Sequence, residues 1–376
     1  MALSNNQQAF FALLRAGLWE KAVRLLPFDK IDFAEIYNLA QEQSVVGVIA
    51  AGFDHVEDCK VVKKDVVQFI GQAFNLEQKN SAMNSFIGEI VDKMRVEGIY
   101  SLLVKGQGVA QCYERPLWRS CGDVDFFLSE DNYDKAKKYL MPLASSVNPE
   151  ERVTKHLGMN IDPWVVELHG SLRFGLSARI DRGLDDIKND VLFGGNVRSK
   201  RIGGSEVFLL GAENDSIYVF THFLNHFYRG GIGVRQICDW CRLLWTYKNK
   251  LDLGMLESRL KKMGIVTEWK AFGAFAVDYL GMPSEALPFY SQERKWKRKA
   301  VKICRFILEV GNFGHNRDLS YYKKYPFIVR KVISFGQRMG DLIRHAFIFP
   351  WDSLRFFPSI MFNGIRSAIS GDRTGL

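Results

Sequence analysis

The stretches Lys105-Gly106-Gln107-Gly108 and Asp123-Val124-Asp125 decide the fold of the central part of this chain. A short apolar run, 101–104, precedes the glycine turn, and a second apolar run, 124–128, begins within the pair of carboxylates. Side chains alternate across a strand, so the two aspartates point to the same face. Carboxylates this close repel each other unless a proton or a cation neutralises them. A hard divalent ion is the expected neutraliser, and the pattern therefore predicts a metal site at the head of a strand.

A third carboxylate is expected from the run Val165-Val166-Glu167-Leu168-His169. Glu167 and His169 are two residues apart and face the same side of a strand. A carboxylate inside an apolar strand is costly without a partner. Glu167 alone could be a salt-bridged residue of an edge strand. Together with the Asp-x-Asp strand it predicts a triad of metal ligands: Asp123, Asp125 and Glu167.

These motifs resemble the DNA polymerase β-like nucleotidyltransferase superfamily, which has a glycine turn after a strand, an Asp-x-Asp strand and a third acidic strand residue. More narrowly, the chain is similar to a little-characterised bacterial nucleotidyltransferase family with a Lys-Gly motif. The similarity rests on 103–106, 113–116, Arg119, 123–125 and 167–169, and it extends over about residues 85–245. It implies an α+β fold, with a small mixed-sheet, polymerase β-like palm core flanked by N- and C-terminal helical modules.

The resemblance also implies a mechanism. Asp123 and Asp125 would hold Mg²⁺, with Mn²⁺ as the alternative, and Glu167 would complete a second metal position and help to activate an acceptor hydroxyl. A nucleoside triphosphate, expected to be ATP, would donate its nucleotidyl group and release pyrophosphate. These three residues are the expected catalytic and metal-binding set.

Seven residues are expected to contact the nucleotide: Lys105, Gly106, Gln107, Arg119, His169, Arg235 and Asp239. Lys105 or Arg119 would neutralise charge on the triphosphate. The superfamily usually has a serine after the glycine of the turn, and Gln107 stands in that place here. Arg235 and Asp239 are four residues apart on a predicted helix, so a simple i, i+4 surface pair is the alternative for them.

Apolar periodicity predicts four modules. These are an N-terminal helical module (1–80), the α/β core (81–210) with strands at 101–104, 124–128, 164–168 and 205–210, a helical bundle (211–290), and a basic helical module (291–376). The net charge of the chain is +9. Residues 293–376 carry 17 Lys and Arg against 6 Asp and Glu, so this quarter holds the whole surplus. It would suit an anionic partner, nucleic acid or a membrane surface, or it is a solvated helical face.

Composition and motifs leave the acceptor open among a small molecule, a protein and RNA, and leave the oligomeric state open. An aromatic content of 13% and six scattered cysteines indicate a packed globular protein without a disulfide framework, for which the cytoplasm is the expected location. Two alternatives to the nucleotidyltransferase function implied by the resemblance remain. One is a retired transferase fold that binds nucleic acid or membrane through its basic quarter. The other is a toxin-like transferase that modifies tRNA or protein.

Overall fold

The computed structural model describes residues 3–58, 63–151, 154–312 and 325–358. A central mixed sheet lies between two groups of helices, which confirms the predicted α+β fold with helical flanks. Within the described ranges, every helix is too short or too polar to cross a membrane. The basic quarter, 291–376, lies partly outside the described residues.

The sheet has seven strands. They are β1 (Ser101–Val104), β2 (Asp123–Leu128), β3 (Ser146–Val147), β4 (His156–Ile161), β5 (Trp164–His169), β6 (Val197–Ile202) and β7 (Ser205–Leu210). Their order across the sheet is β3-β4-β5-β2-β1-β7-β6. β2 is parallel to β5 and β1 is parallel to β7, whereas the other neighbours are antiparallel. The motif-bearing strands β1, β2 and β5 thus lie side by side at the centre.

Thirteen helices are bounded within the described ranges. They are α1 (Asn5–Trp19), α2 (Phe33–Glu42), α3 (Val46–Gly52), α4 (Lys63–Val96), α5 (Gly106–Ala110), α6 (Glu130–Leu140), α7 (Ala178–Leu192), α8 (Ala212–Arg229), α9 (Val234–Tyr247), α10 (Leu253–Met263), α11 (Val266–Asp278), α12 (Arg294–Val310) and α13 (Phe327–Ile348). Residues 350–358 are also helical.

Strand alternation gives the sheet two different faces. Along β2, Val124, Phe126 and Leu128 point to one face, where they pack with apolar residues of α4 and α6 in a compact core. Asp123 and Asp125 point to the opposite face. That face is covered by helices α5, α8 and α9, whose buried residues belong to the larger core of the molecule. The alternation inferred from the sequence therefore puts the carboxylates under the helical bundle.

The N-terminal helices belong to the larger core. Helices α1 and α3 approach closely because glycines lie at their contact: a Cβ atom at Gly17 would lie 1.8 Å from Val48 O, and one at Gly52 would lie 2.2 Å from Leu13 O. The indole nitrogen of Trp19 also donates to Leu280 O at 2.6 Å. The first helices of the chain are thus packed against the helical bundle that follows the sheet.

The structure adds elements that the periodicity does not predict. Strands β3, β4 and β6 fall in segments without a continuous apolar run, and β6 (Val-Arg-Ser-Lys-Arg-Ile) is an edge strand with a mostly exposed face. Helix α4 runs unbroken through residue 80, where the first module limit was predicted. β7 ends at Leu210 and α12 begins at Arg294, and the predicted module limits stay predictions.

Candidate active site

The turn between β1 and α5 has an unusual backbone. Lys105 has φ 58° and ψ −146°, a region that side chains with a Cβ rarely adopt, and Gly106 follows with φ 38°. A Cβ atom at Gly106 would lie 3.3 Å from Cys121 Sγ and 3.4 Å from Asp123 O, so glycine also lets this turn approach β2 closely. Strain of this kind persists where the surrounding fold enforces it, and it is concentrated at functional sites.

The three predicted carboxylates converge beside this turn. Asp125 and Glu167 are direct partners in the parallel register of β2 and β5, and Asp123 lies two residues before Asp125 on the same face. One oxygen from each lies within 4.8 Å of the others. The pKa of Asp123 is raised above its ordinary value, first by the neighbouring Asp125 carboxylate and then by burial. The site therefore concentrates negative charge at the centre of the sheet.

Basic groups offset part of this charge. The Lys105 ammonium lies 2.7 Å from Asp125 Oδ1, and His169 Nε2 lies 2.9 Å from the same oxygen. Burial opposes the charged form of Lys105, but Asp125, together with Tyr218, Glu167 and Asp123, outweighs burial and raises the pKa of the lysine. Asp125 itself is only 2% exposed, so its charge is balanced at short range rather than by bulk water.

Glu167 has its own partners. His156 Nε2 on β4 lies 3.1 Å from Glu167 Oε2, and His169 Nε2 lies 3.5 Å from that oxygen. Burial alone would raise the pKa of Glu167, but hydrogen bonds from the two histidines lower it well below its ordinary range. The Glu167 side chain keeps 25% of its surface exposed, so these contacts do not seal it from the cleft.

A cleft of about 240 Å³ opens over the carboxylates. Its walls come from the turn after β1, from strands β2 and β5, and from helices α8 and α9. The lining residues are Lys105, Gly106, Val109, Arg119, Asp123, Asp125, Glu167, Val219, His222, Phe223, His226, Arg235, Gln236 and Asp239. The sheet side of the cleft thus supplies the carboxylates, and the helices supply both charged and apolar side chains.

Two histidines on α8 were not among the predicted site residues. His222 Nε2 lies 3.5 Å from the Lys105 ammonium and 3.2 Å from His226 Nε2. Burial, and then the Lys105 charge, lower the pKa of His222 well below its ordinary value, and burial lowers that of His226 to about 4. The surroundings therefore disfavour the protonated form of both imidazoles. Two features of the sequence pointed to them: their spacing of four residues, and their place in a helical stretch that resembles the segment after the core in the nucleotidyltransferase family.

Arg119 and Asp239 form a buried ion pair. Arg119 Nε lies 3.0 Å from Asp239 Oδ1 and Nη2 lies 2.6 Å from Oδ2, which is a bidentate arrangement, and Tyr113 Oη donates to Oδ1 at 2.8 Å. Burial would raise the pKa of Asp239, but Arg119 lowers it. The pair ties the loop after α5 to helix α9. These two predicted nucleotide-binding residues thus border the cleft while their charged groups bind each other.

Arg235 lies on the cleft side of this pair. Its Nη1 is 3.6 Å from Asp239 Oδ2, so the predicted i, i+4 pair exists, but 19% of the side chain is exposed and the residue lines the cleft. Its Nε has no hydrogen-bond partner among the residues that the structure describes. Of the two arginines predicted to meet the nucleotide, Arg235 has the more available guanidinium.

The Gln107 side chain lies on the other side of the turn. It is 1% exposed, and its Nε2 donates to Asn80 Oδ1 on α4 at 2.9 Å. Asn80 in turn donates to the carbonyls of Leu117 and Arg119. The Gln107 amide is therefore directed away from the cleft and supports the loop that carries Arg119. The sequence could not reveal this, because Gln107 and Asn80 lie on separate elements.

Comparison with known proteins agrees with this architecture. A family model described as an uncharacterised nucleotidyltransferase matches residues 29–281. This is wider than the region of about 85–245 that the motifs indicate, since it includes α2, α3 and all of α4. No curated protein and no solved structure matches the chain. Because the match covers well over half of the sequence, this chain belongs to that family of uncharacterised nucleotidyltransferases.

Proposed function

We propose that this protein is a Mg²⁺-dependent nucleotidyltransferase that moves a nucleoside monophosphate from a nucleoside triphosphate to a hydroxyl acceptor. The observation that carries the proposal is the convergence of Asp123, Asp125 and Glu167 within 4.8 Å at the end of a cleft. Family membership supports nucleotidyl transfer in general. The metal, the donor and the acceptor belong to the proposal.

The donor set fits Mg²⁺. Mg²⁺ prefers hard oxygen ligands and is commonly bound through one or two carboxylates together with substrate phosphates. Asp123 and Asp125 would hold the ion, and Glu167 would contribute to a second position; Mn²⁺ accepts the same ligands. When bound, the metal would neutralise phosphate charge and stabilise the oxygens of the displacement. The pKa of Asp123 is raised because the Asp125 carboxylate lies beside it, and a cation bound between these two carboxylates would relieve their repulsion.

Lys105 and Arg235 are the residues expected to hold the triphosphate. The Lys105 ammonium is within reach of both the carboxylates and the α8 histidines, and Arg235 brings a guanidinium from the opposite wall. Positive groups placed in this way balance charge on the pyrophosphate as it leaves. The backbone at Gly106 borders the same space. We assign the Arg119–Asp239 pair the role of fixing the wall from which Arg235 extends.

The reaction would be an in-line displacement at the α-phosphorus. A bond forms between the acceptor oxygen and the α-phosphorus, and the bond to the bridging oxygen of pyrophosphate breaks. The acceptor proton would pass to a carboxylate of the site, and Glu167 would help to activate the acceptor hydroxyl through the second metal position. His169 would hold Asp125 in place through its 2.9 Å contact. Val219 and Phe223 also line the cleft, and ATP is the expected donor.

The test is transfer of label from each α-³²P nucleoside triphosphate to acceptors in a cell extract with Mg²⁺. Wild type should label an acceptor, and Asp123→Asn and Asp125→Asn should not. Asp131→Asn is a matched control, because Asp131 is an exposed aspartate at the start of α6. Absence of label with every nucleotide and with wild type would oppose the proposal and favour a retired binding module. The nature of the labelled species would identify a small-molecule, protein or RNA acceptor.

A further inference from the structure

A second group of metal-ligating side chains lies beside the carboxylate triad. It consists of His156, Glu167 and His169, and one ligand atom from each lies within 4.8 Å of the others. The sheet register creates the group: His156 on β4 is directly opposite His169 on β5, and Glu167 is two residues before His169 on the same face. The two imidazole rings are stacked with centroids 4.8 Å apart.

The distances suit a tetrahedral ion. Both Nε2 atoms approach one oxygen, Glu167 Oε2, at 3.1 Å for His156 and 3.5 Å for His169. Ligands on a tetrahedral Zn²⁺, with bonds of roughly 2.0–2.1 Å, stand about 3.3–3.4 Å apart. These two separations are close to this value. His169 Nε2 also lies 2.9 Å from Asp125 Oδ1, so His169 would exchange that contact for the ion when a metal binds.

The group is also accessible. The His156 side chain is 34% exposed and that of Glu167 is 25% exposed. Gly158 on β4 is directly opposite Glu167, and the Asn148 side chain lies beside it, with Nδ2 3.0 Å from where a Cβ atom of residue 158 would be. Three protein ligands leave a coordination position open, which is the arrangement found in catalytic zinc sites.

We propose that His156, Glu167 and His169 bind a divalent first-row transition ion, with Zn²⁺ the expected occupant, at a site that shares Glu167 with the Mg²⁺ triad. Two imidazoles favour such an ion over Mg²⁺, which prefers oxygen ligands. The inference goes beyond the proposed function, because it assigns a second class of metal to this face of the sheet. It can be tested whether or not nucleotidyl transfer is observed.

The first experiment is calorimetric titration of the full chain with Zn²⁺ in saturating Mg²⁺. Wild type should bind Zn²⁺ at this site, and His156→Gln should weaken that binding by at least about tenfold, the lower end for loss of a group supporting a metal. His55→Gln is the matched control, since His55 is a surface histidine paired with Glu20. It should bind as wild type does, as should Asp123→Asn. Unchanged binding by His156→Gln, or equal loss in Asp123→Asn, would overturn the proposal.

A second measurement uses only the wild-type protein and does not depend on a variant that folds. Zn²⁺ should protect His156 from modification by diethyl pyrocarbonate, read by mass spectrometry of its peptide, while His55 stays reactive. Equal modification of His156 with and without Zn²⁺ would contradict the site. Because the test reads metal binding alone, its failure leaves the nucleotidyltransferase proposal standing, and absence of nucleotidyl transfer leaves this site standing.

Discussion

The Lys105 ammonium nitrogen lies 2.7 Å from Asp125 Oδ1, where the strained turn after β1 meets the carboxylates of β2 and β5. The lysine therefore balances the most buried carboxylate of the site and also faces the cleft. In the proposed reaction this lysine would lie between a metal ligand and the triphosphate, so it would balance Asp125 in the free protein and phosphate charge in the complex.

Replacing Lys105 should reduce activity strongly. We expect Lys105→Met to lower kcat by about 10²- to 10³-fold, as for loss of one group that stabilises transition-state charge. Lys93→Met is the control, because Lys93 is an exposed lysine paired with Glu89 on α4. The measurement is single-turnover nucleotidyl transfer. Near wild-type rates for Lys105→Met would show that the lysine serves only to balance Asp125.

Mg²⁺ should stabilise the folded protein through the same carboxylates. A ligand that binds only the native state stabilises it by about 2.7 kcal/mol at one hundred times its Kd. We therefore expect Tm to rise with Mg²⁺ and to fall on chelation in wild type and in Asp131→Asn. The rise should be lost in Asp123→Asn and Asp125→Asn. An equal rise in all four proteins would mean that Mg²⁺ binds elsewhere.

The Arg119–Asp239 pair should be important for stability. Removing one partner of a buried ion pair leaves an uncompensated charge and costs roughly 3–5 kcal/mol. Arg119→Met should therefore lower the free energy of unfolding far more than Arg173→Met, which breaks the more exposed pair with Asp185. Urea denaturation measures both. A loss of nucleotide affinity in Arg119→Met without loss of stability would instead assign Arg119 to the substrate.

Glu268 should make stability fall as pH rises. Burial, and then the nearby Asp352 carboxylate, raise the pKa of Glu268 to about 8 in the folded state. The unfolded chain releases this proton near its ordinary pKa, so between about 4.5 and 8 the folded state binds more protons, and stability decreases with pH in that window.

Glu268→Gln should remove this decrease. The amide keeps the shape of the protonated acid, which accepts a hydrogen bond from Tyr228 Oη at 3.3 Å. Urea unfolding at pH 5 should give similar stabilities for wild type and variant. At pH 8 the variant should be more stable by at least about 1 kcal/mol, roughly the free energy of one pKa unit. Parallel pH profiles for the two proteins would contradict the assignment.

The central strands could be predicted because their residues carry strong local signals. The predicted run 101–104 coincides with β1, and 205–210 coincides with β7, since each is a short apolar segment bounded by turn residues. The Asp-x-Asp motif and Glu167 meet because alternation and the parallel register of β2 and β5 put them on one face. Local sequence patterns were sufficient to predict these strands and the face on which the carboxylates lie.

The partners of the site residues could not be predicted in the same way. Arg119 binds Asp239, which is 120 positions away in the chain, and Gln107 binds Asn80 across the turn. Such pairings depend on how helices α4 and α9 pack on the sheet, which no local pattern encodes. His156 was missed because its strand, His-Leu-Gly-Met-Asn-Ile, has a glycine and polar residues in place of an apolar run. The cytoplasmic location, the module limits and an anionic partner for 291–376 stay predictions.

Helix α4 has a consequence for how the molecule can be divided. Its 34 residues make a rod about 50 Å long. Phe69, near its start, belongs to the larger core, whereas Met83 and Ile87 lie beneath the sheet in the compact core. The N-terminal helices therefore pack as part of the same structure as the sheet. A chain cut at residue 81 would lose about half of α4, and the face of the sheet that carries the carboxylates would no longer be held in place against the helices that cover it.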